Sequence, residues 1–178
     1  MKRELSELPG VKLLENAVFN DARGDLTKIN LPNSDVFSTV IYSNNFSRGT
    51  VRGLHFQYKP NSEIKIVTCI RGEIIDFLVD VRESSKTFGD WSEVRLSSKS
   101  SRSLLVPEGF AHGYQTLEDS TTVLYSISGL YVAEDSVVLN IRDTDIGIDL
   151  PLQISEISTR DLEGKSLKFY REKLTVKK

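Results

Sequence analysis

The sequence is poor in cysteine and histidine, and it contains no long apolar segment. Its single cysteine, Cys69, cannot form an internal disulfide. Because Cys69 lies in the apolar run IVTCI, we expect a buried small side chain rather than a reactive thiol. No run approaches the roughly 20 apolar residues that a membrane helix needs, and the N-terminus lacks the apolar core of a signal peptide. We therefore expect a cytoplasmic protein with no membrane partner.

The sequence also lacks an excess of either charge. It has 23 basic and 25 acidic residues, so its formal net charge is −2. This balance provides no broad basic surface for nucleic acid, and we expect no nucleic-acid partner. A length of 178 residues is sufficient for one domain with a substantial core. We therefore expect residues 1–178 to form a single domain.

Short runs rich in valine, isoleucine, phenylalanine and tyrosine alternate with polar clusters, a pattern typical of an all-β domain. Nine strands are predicted, at 36–43, 50–58, 64–72, 73–82, 91–97, 101–109, 112–118, 121–128 and 135–142. The turn from Arg71 to Glu73 predicts a tight hairpin. Because no helical crossovers separate the strands, a sandwich or small barrel is favoured over a parallel sheet. A helix is predicted only within 159–174, where Gly164 would interrupt it.

The two histidines both lie among aromatic residues, His55 in LHF and His112 in AHGY. Each could be a satisfied core side chain, a metal ligand or a general base. A metal site is disfavoured because neither has a histidine two residues away and no cysteine pair exists. A general base acting beside a carbonyl needs a carboxylate to fix its tautomer and a donor for the enolate oxygen. Spacing alone does not choose among these interpretations.

Seven motifs between Asp21 and Asp161 resemble the dTDP-4-dehydrorhamnose 3,5-epimerase family of sugar-nucleotide enzymes. They are DARG (21–24), RGLHFQ (52–57), IKIVTCIRGEIIDFLVDVR (64–82), KTFGDW (86–91), VPEGFAHGY (106–114), IGIDLP (146–151) and ISTRD (157–161). Each motif alone is weak, but their order and spacing are specific. The resemblance implies an all-β, cupin-type jelly roll, that is, a double-stranded β-helix, with a short C-terminal helical segment. It also implies a homodimer with exchanged strands or N-terminal arms, and neither metal nor cofactor.

The resemblance also implies a reaction and four catalytic residues. His55 would remove a proton beside the C4 keto group of a nucleotide-diphosphate-linked 4-keto-6-deoxy sugar, and Asp161 would orient this base. Tyr125 would return a proton to the opposite face, and Lys65 would stabilise the enolate at O4. The outcome would be inversion at C3, C5 or both. From the residues alone, Tyr125 is better interpreted as a core aromatic, and Lys65 could equally be a surface lysine.

Six further residues are expected to bind substrate. Arg23 and Arg52 resemble the arginines that hold the diphosphate, one of them reaching from the partner subunit. Arginine suits this role because its planar guanidinium can form two hydrogen bonds to phosphate. His112 is expected to contact the sugar or to support a group that does. The remaining expected binding residues are Gln57, Glu63 and Arg160.

The sequence departs from the family pattern at nine positions: Leu26, Lys28, Val40, Tyr42, Glu63, Ser126, Leu130, Ser136 and Leu150. The resemblance implies that several of these positions meet the nucleotide. A site that hydrogen-bonds a particular base loses discrimination when its polar partners change. We therefore hypothesise that the reaction is retained, while the nucleotide or sugar differs from the thymidine-linked 6-deoxyhexose usual in the family.

Two other functions are compatible with the same fold. A sugar-nucleotide 3,4-ketoisomerase would use a similar base but return the proton to the neighbouring position, so its product distinguishes it from an epimerase. A non-catalytic sugar-nucleotide-binding protein would need no acid and base on opposite faces of its ligand. The intact set of His55, Asp161, Tyr125 and Lys65 favours an enzyme over such a binding protein.

Overall fold

The computed structural model describes residues 1–176, which consist mainly of short antiparallel strands. The strands are β1 (Lys12–Glu15), β2 (Ala17–Asp21), β3 (Gly24–Lys28), β4 (Phe37–Asn45), β5 (Val51–Gln57), β6 (Lys65–Arg71), β7 (Glu73–Asp80), β8 (Trp91–Ser97), β9 (Arg102–Val106), β10 (Phe110–Thr116), β11 (Thr121–Ser128) and β12 (Ser136–Val138). The α-helices among these residues are α1 (Thr159–Leu162) and α2 (Leu167–Val176). No helix in the described part of the chain is long and apolar enough to cross a membrane.

Ten of these strands form two five-stranded antiparallel sheets. The first has the order β1-β9-β6-β11-β4 and the second β12-β5-β10-β7-β8. β2 and β3 form a separate hairpin. The consecutive strands β6 and β7 lie in different sheets, so the tight hairpin predicted from Arg71 to Glu73 is wrong: the turn carries the chain from one sheet to the other. β9 and β10 also lie in different sheets, as do β10 and β11, so the chain crosses repeatedly between the two layers. The predicted all-β, cupin-type jelly roll with a C-terminal helical segment is confirmed.

Apolar side chains fill the space between the sheets and also cover one outer face. The inner core joins Val67 and Val123 of the first sheet to Leu78 and Leu96 of the second. A second core lies on the outer face of the second sheet, where residues of β5 and β7 pack against the C-terminal segment, including Tyr170 of α2. The C-terminal helical segment is therefore part of the packed structure, because it shields the back of the sheet that carries both histidines.

Cys69 lies in the inner core and is only 2% exposed. Its Sγ donates to the carbonyl oxygens of Arg71 and Gly72. Burial raises the pKa of the Cys69 thiol to about 11, so the thiolate needed for nucleophilic chemistry does not form near neutral pH. The prediction of a buried, unreactive cysteine is confirmed.

The strand predictions were correct for the body of the molecule but incomplete at its start. All nine predicted strands are present with ends shifted by a few residues, although 135–142 contains only the three-residue β12. The count of nine was wrong, because β1, β2 and β3 were missed. β2 and β3 are exposed along their whole length, so they lack the alternation of apolar and polar residues that marks a half-buried strand. The helical segment is interrupted around Gly164, as predicted.

A bulge in β5 determines which of its side chains face the space between the sheets. Three residues of β5 span the same length as two of β10, so the pairing shifts between Arg52 and His55. Strict alternation would place residues three apart on opposite faces, whereas Arg52 and His55 line the same cavity. Gly53 permits this path: its φ is +108°, and a Cβ there would lie 2.6 Å from the Cα of Gly113.

Candidate active site

A cavity of about 260 Å³ lies between the two sheets. β5 and β10 form one wall, and β4, β6 and β11 form the other. Eight of the ten predicted site residues line it: Arg52, His55, Gln57, Glu63, Lys65, His112, Tyr125 and Arg160. Asp161 lies behind His55, and Arg23 lies elsewhere. Residues spread over more than 100 positions of sequence therefore meet at one site.

His55 and Asp161 form a tightly hydrogen-bonded pair at the edge of this cavity. His55 Nε2 lies 2.6 Å from Asp161 Oδ1, and the Gly53 N–H donates to the other carboxylate oxygen at 3.1 Å. Ser158 caps α1 by accepting from the Asp161 N–H at 3.1 Å, which fixes the start of the helix that carries the carboxylate. The His55 side chain is 39% exposed, while that of Asp161 is only 5% exposed.

The charge of Asp161 determines which nitrogen of His55 is free. Burial alone would raise the pKa of Asp161, but its hydrogen bond and charge interaction with His55 and the hydrogen bond from Gly53 outweigh this effect, so its pKa is lowered. The ionised carboxylate can only accept, so His55 Nε2 carries the proton. Nδ1 is thus left as the acceptor of the neutral ring, a suitable state for a general base.

Lys65 is held beside His55 rather than on the surface, so the alternative of a surface lysine is wrong. Its side chain is 9% exposed, and Nζ lies 2.8 Å from Oε1 of Glu63. Nζ also donates to the main-chain carbonyl oxygen of His55 at 3.4 Å. The other Glu63 oxygen accepts a long hydrogen bond of 3.4 Å from Gln57. An ammonium group fixed in this way can stabilise an oxyanion that forms next to the imidazole.

Tyr125 lies on β11, in the sheet opposite the one that carries His55. Ser43 and Tyr114, whose hydroxyl oxygens are 2.8 Å apart, line the same cavity. Burial of the Tyr125 hydroxyl, followed by the effects of Tyr114 and Asp76, raises the pKa of Tyr125 well above its ordinary value. The phenol therefore remains protonated near neutral pH and can act as a proton donor to a strong carbon base.

His112 is the buried counterpart of His55. Its Nε2 lies 2.8 Å from Oδ2 of Asp76, and its ring meets that of Tyr125 edge-on at a centroid distance of 6.2 Å. Burial raises the pKa of Asp76 and outweighs the opposing influence of His112 and Lys65. Sequence reasoning missed Asp76, although an acidic residue inside the apolar strand EIIDFLVD was a usable signal. No three His, Cys, Asp or Glu side chains within residues 1–176 cluster closely enough to hold a metal ion.

Gln57 uses its side-chain amide to hold the two loops that follow β5 and β11. Its Nε2 donates to the carbonyl oxygens of Asn61 at 2.9 Å and Leu130 at 3.1 Å, and its Oε1 accepts from the Val132 N–H at 2.8 Å. Main-chain groups therefore occupy both ends of the amide. The substrate-binding role of Gln57 remains a prediction, and its visible role is to shape the mouth of the cavity.

The predicted arginines differ in where the fold places them. Arg160 is exposed at the cavity mouth, where Nη2 donates to Ser136 Oγ at 2.7 Å. Arg52 lines the cavity, and its Nε donates to Asn45 Oδ1 at 2.8 Å. Arg23 lies in the β2–β3 turn, where its side chain is 90% exposed and pairs with Asp21. Within one chain, Arg23 is therefore not part of the site.

Only two of the nine departures from the family pattern line the cavity, namely Glu63 and Ser136. Leu26 and Lys28 lie in the exposed β3, and Leu130 is exposed as well. The remaining four are Val40 and Tyr42, which are exposed on β4, Ser126, which is buried, and Leu150, which packs against the outer core. Within one chain, Glu63 and Ser136 are therefore the two departures placed to contact a different substrate directly.

The fold and the site define a jelly roll with an acid–base cavity between its sheets. One wall carries a carboxylate-oriented imidazole, and the other carries a buried ammonium and a protonated phenol. The model of the dTDP-4-dehydrorhamnose 3,5-epimerase family matches residues 5–168. The chain belongs to this family, and the resemblance seen in the sequence motifs is confirmed.

Individual relatives support the same assignment. The chain is 36% identical over 169 residues to a dTDP-4-dehydrorhamnose 3,5-epimerase from Shigella flexneri, covering 90% of this chain and 92% of that protein. The epimerase structure from Mycobacterium tuberculosis superimposes with a TM-score of 0.88 at 32% identity, covering 96% and 90% of the two chains. ChmJ, a 3'-monoepimerase from Streptomyces bikiniensis in complex with dTDP-quinovose, has a TM-score of 0.84 at 27% identity, covering 94% and 88%.

Proposed function

We propose that this protein inverts C3, C5 or both carbons of a nucleotide-diphosphate-linked 4-keto-6-deoxy sugar through an enolate intermediate. The observation that carries the proposal is the 2.6 Å contact between His55 and Asp161 at a cavity that also contains Lys65 and Tyr125. C3 and C5 both flank the C4 carbonyl, so their protons are acidified by the same group. The names of the relatives supply the substrate class.

The first step is removal of a proton from carbon. Nδ1 of His55 accepts the proton, and the ionised Asp161 stabilises the imidazolium that results. The electron pair of the broken C–H bond moves toward the carbonyl and places negative charge on O4. The Lys65 ammonium then stabilises this oxyanion, which lowers the barrier to abstraction.

The second step returns a proton to the opposite face of the same carbon. The O–H bond of Tyr125 breaks, a new C–H bond forms, and the carbonyl is restored. Tyr125 is left as a phenolate, which regains a proton from solvent, while His55 releases its proton to solvent. The net reaction is an isomerisation with no change in oxidation state, and the inverted carbon carries hydrogen from solvent.

We further propose that the protein is a homodimer in which the β2–β3 hairpin reaches the partner's cavity. β4 is the edge strand of the first sheet, and it exposes Val40 and Tyr42. The hairpin exposes Phe19 and Leu26. Apolar groups on an open sheet edge favour pairing with another chain. A second copy would cover these groups and would bring Arg23 toward the diphosphate beside Arg52.

The proposal is tested by following exchange of carbon-bound hydrogen in deuterated water. The protein would be incubated with dTDP-, CDP-, UDP- and GDP-linked 4-keto-6-deoxy sugars, and deuterium at C3 and C5 would be measured by NMR. We expect exchange and inversion with at least one nucleotide, and loss of both in His55→Ala. No exchange with any nucleotide would favour a binding protein, and movement of the carbonyl to C3 would favour a ketoisomerase. A clear preference for the dTDP sugar would remove the hypothesis of a different nucleotide.

A further inference from the structure

An ion pair lies inside the cavity, at the position where the proposed reaction places negative charge. Glu63 Oε1 lies 2.8 Å from Lys65 Nζ, and both residues line the cavity. Their side chains are only 13% and 9% exposed. The proposed reaction uses the ammonium group of Lys65 but gives the carboxylate of Glu63 no role. A carboxylate beside an oxyanion opposes the charge that forms there, so stabilisation of the enolate does not account for its position.

The main chain next to Glu63 is fixed to β11. The Ile64 N–H donates to Ser128 Oγ at 2.7 Å, and the Ile64 carbonyl oxygen accepts from the Ser128 N–H at 3.0 Å. Gln57 Nε2 adds the long hydrogen bond of 3.4 Å to Glu63 Oε2, while main-chain groups of two loops hold the Gln57 amide itself. The carboxylate is therefore held in place before a ligand enters, which reduces the cost of using it to bind one.

The Glu63 carboxylate can take a further hydrogen bond, and it can only accept one. A carboxylate has about four lone-pair positions, whereas Lys65 and Gln57 supply two donors within the described residues. Carbonyl and phosphate oxygens of a ligand are acceptors, so this group repels them. A ligand hydroxyl can donate to a carboxylate in a strong, charge-assisted hydrogen bond. Glu63 therefore favours a hydroxyl group at this point in the cavity.

The position of Lys65 indicates which hydroxyl this would be. In the proposed reaction Lys65 meets O4, and oxygens on neighbouring sugar carbons are separated by about the length of a hydrogen bond. Two carbons flank C4. C5 carries the C6 methyl group and the ring oxygen, neither of which can donate, whereas C3 carries a hydroxyl in an ordinary 6-deoxyhexose. A sugar whose O4 contacts Lys65 thus brings its C3 hydroxyl within reach of Glu63, 2.8 Å from the ammonium group.

We propose that Glu63 is a specificity-determining residue that accepts a hydrogen bond from the C3 hydroxyl, so that the cavity selects 4-keto-6-deoxy sugars that retain this hydroxyl over 3-deoxy sugars. The inference rests on the proposed function. A site that hydrogen-bonds a substrate hydroxyl penalises the analogue that lacks it, because a buried polar group is then left unpaired. Glu63 thereby restricts the sugar, whereas Lys65 acts on any 4-keto sugar.

The test compares two sugars that differ only at C3, the 4-keto-6-deoxy sugar and its 3-deoxy analogue, both linked to a nucleotide that supports exchange. Deuterium uptake beside the carbonyl would be followed by NMR to obtain kcat/KM for each sugar. We expect the wild-type protein to prefer the 3-hydroxy sugar about a hundredfold. Glu63→Gln keeps the shape and an oxygen that can accept from Lys65 but removes the charge, and it should narrow this preference about tenfold or more. Intrinsic differences between the sugars cancel when the two proteins are compared.

Glu93→Gln is the matched control. Glu93 Oε1 also forms an ion pair, 2.7 Å from Lys2 Nζ, but it lies on β8 outside the cavity. Its loss should leave the preference at the wild-type value. If Glu63 only held Lys65 in place, Glu63→Gln would slow both sugars by the same factor. An unchanged preference in Glu63→Gln, or no preference in the wild-type protein, would overturn the inference alone. Absence of exchange with any nucleotide in the wild-type protein would overturn the proposed function and the inference together.

Discussion

His55 and His112 stand directly opposite each other in the pairing of β5 with β10, and each imidazole Nε2 contacts a carboxylate from another element. The two pairs differ in their exposure. His55 has 39% of its side chain exposed, whereas the His112 side chain is 4% exposed and its partner Asp76 is fully buried. Both histidines line the cavity, but the His112–Asp76 pair is almost completely buried, whereas the His55 ring is open to solvent. We expect the His55–Asp161 pair to serve proton transfer and the His112–Asp76 pair to serve structure.

Matched substitutions of the two carboxylates should separate these roles. Asp161→Asn keeps the shape of the side chain but removes the charge that holds the His55 tautomer. We expect it to lower solvent exchange into the sugar by about a hundredfold or more, since general-base catalysis contributes roughly 10²- to 10⁴-fold. Thermal unfolding should change little by comparison.

Asp76→Asn should show the opposite balance. It weakens a fully buried hydrogen-bonded pair, and an imperfectly satisfied buried polar group costs about 1–3 kcal/mol. We expect a lower midpoint in urea denaturation and a much smaller loss of exchange than in Asp161→Asn. Equal losses of activity in the two variants would contradict this division of roles.

Lys65→Met tests the stabilisation of the enolate oxygen. The substitution keeps an unbranched side chain of similar length but removes the ammonium group beside His55. The loss of one oxyanion-stabilising group typically costs about 10²- to 10³-fold in rate. We expect kcat to fall by this amount with a much smaller change in KM, measured by steady-state turnover. Lys99→Met, in the exposed turn between β8 and β9, should leave both constants unchanged.

Asp80 should make the fold sensitive to acid. Burial alone would raise its pKa, but hydrogen bonds from Arg82, Ser85 and Thr87 outweigh burial and hold the pKa below its ordinary value. A depressed folded-state pKa means that this stabilisation is fully present above the unfolded value of about 4 and is lost as pH falls through the lower folded value.

The corresponding measurement is urea denaturation of Asp80→Asn and wild-type protein at pH 6, 4 and 3. At pH 6 we expect the variant to be less stable by about 1–3 kcal/mol, because a charged acceptor of several hydrogen bonds has been lost. The difference should narrow below pH 4 as Asp80 becomes protonated in the wild-type protein. A difference that stays constant across this range would show that the charge of Asp80 is not responsible.

Tyr42→Asp tests the proposed homodimer. Tyr42 projects from the outer side of edge strand β4 and is 67% exposed within one chain. A carboxylate there would be desolvated by a second copy, so we expect the mass in light scattering to fall from dimer to monomer. Phe169→Asp, at an exposed apolar position on α2, should leave the mass unchanged. A wild-type protein that is already monomeric would contradict the dimer.

The sequence predicts the buried strands well because packing imposes regular patterns on them. β7 and β11 follow runs of branched and aromatic residues, and the turn around Gly72 requires a positive φ that glycine readily adopts. The hairpin of β2 and β3 has no such signal, because nothing within residues 1–176 covers it. In the proposed homodimer its apolar residues would contact the partner, and such contacts leave no regular pattern within one strand.

The site was only partly visible in the sequence. Family motifs identified His55 and Asp161, yet their 106-residue separation means that spacing alone could not pair them. The partner of His112 was missed, since Asp76 lies in a strand where the pattern suggests ordinary core residues. Such polar contacts depend on the register between strands, which local patterns do not encode.

The bulge in β5 also determines that the Arg52 guanidinium and the His55 imidazole lie on the same side of the sheet. With uninterrupted pleating, the guanidinium of Arg52 would point toward the C-terminal segment while the imidazole of His55 faced the other sheet. The irregularity turns both side chains toward one cavity. Under the proposed function, in which Arg52 holds the diphosphate and His55 is the base, we expect deletion of a single residue there to separate diphosphate binding from deprotonation while leaving both side chains in the protein.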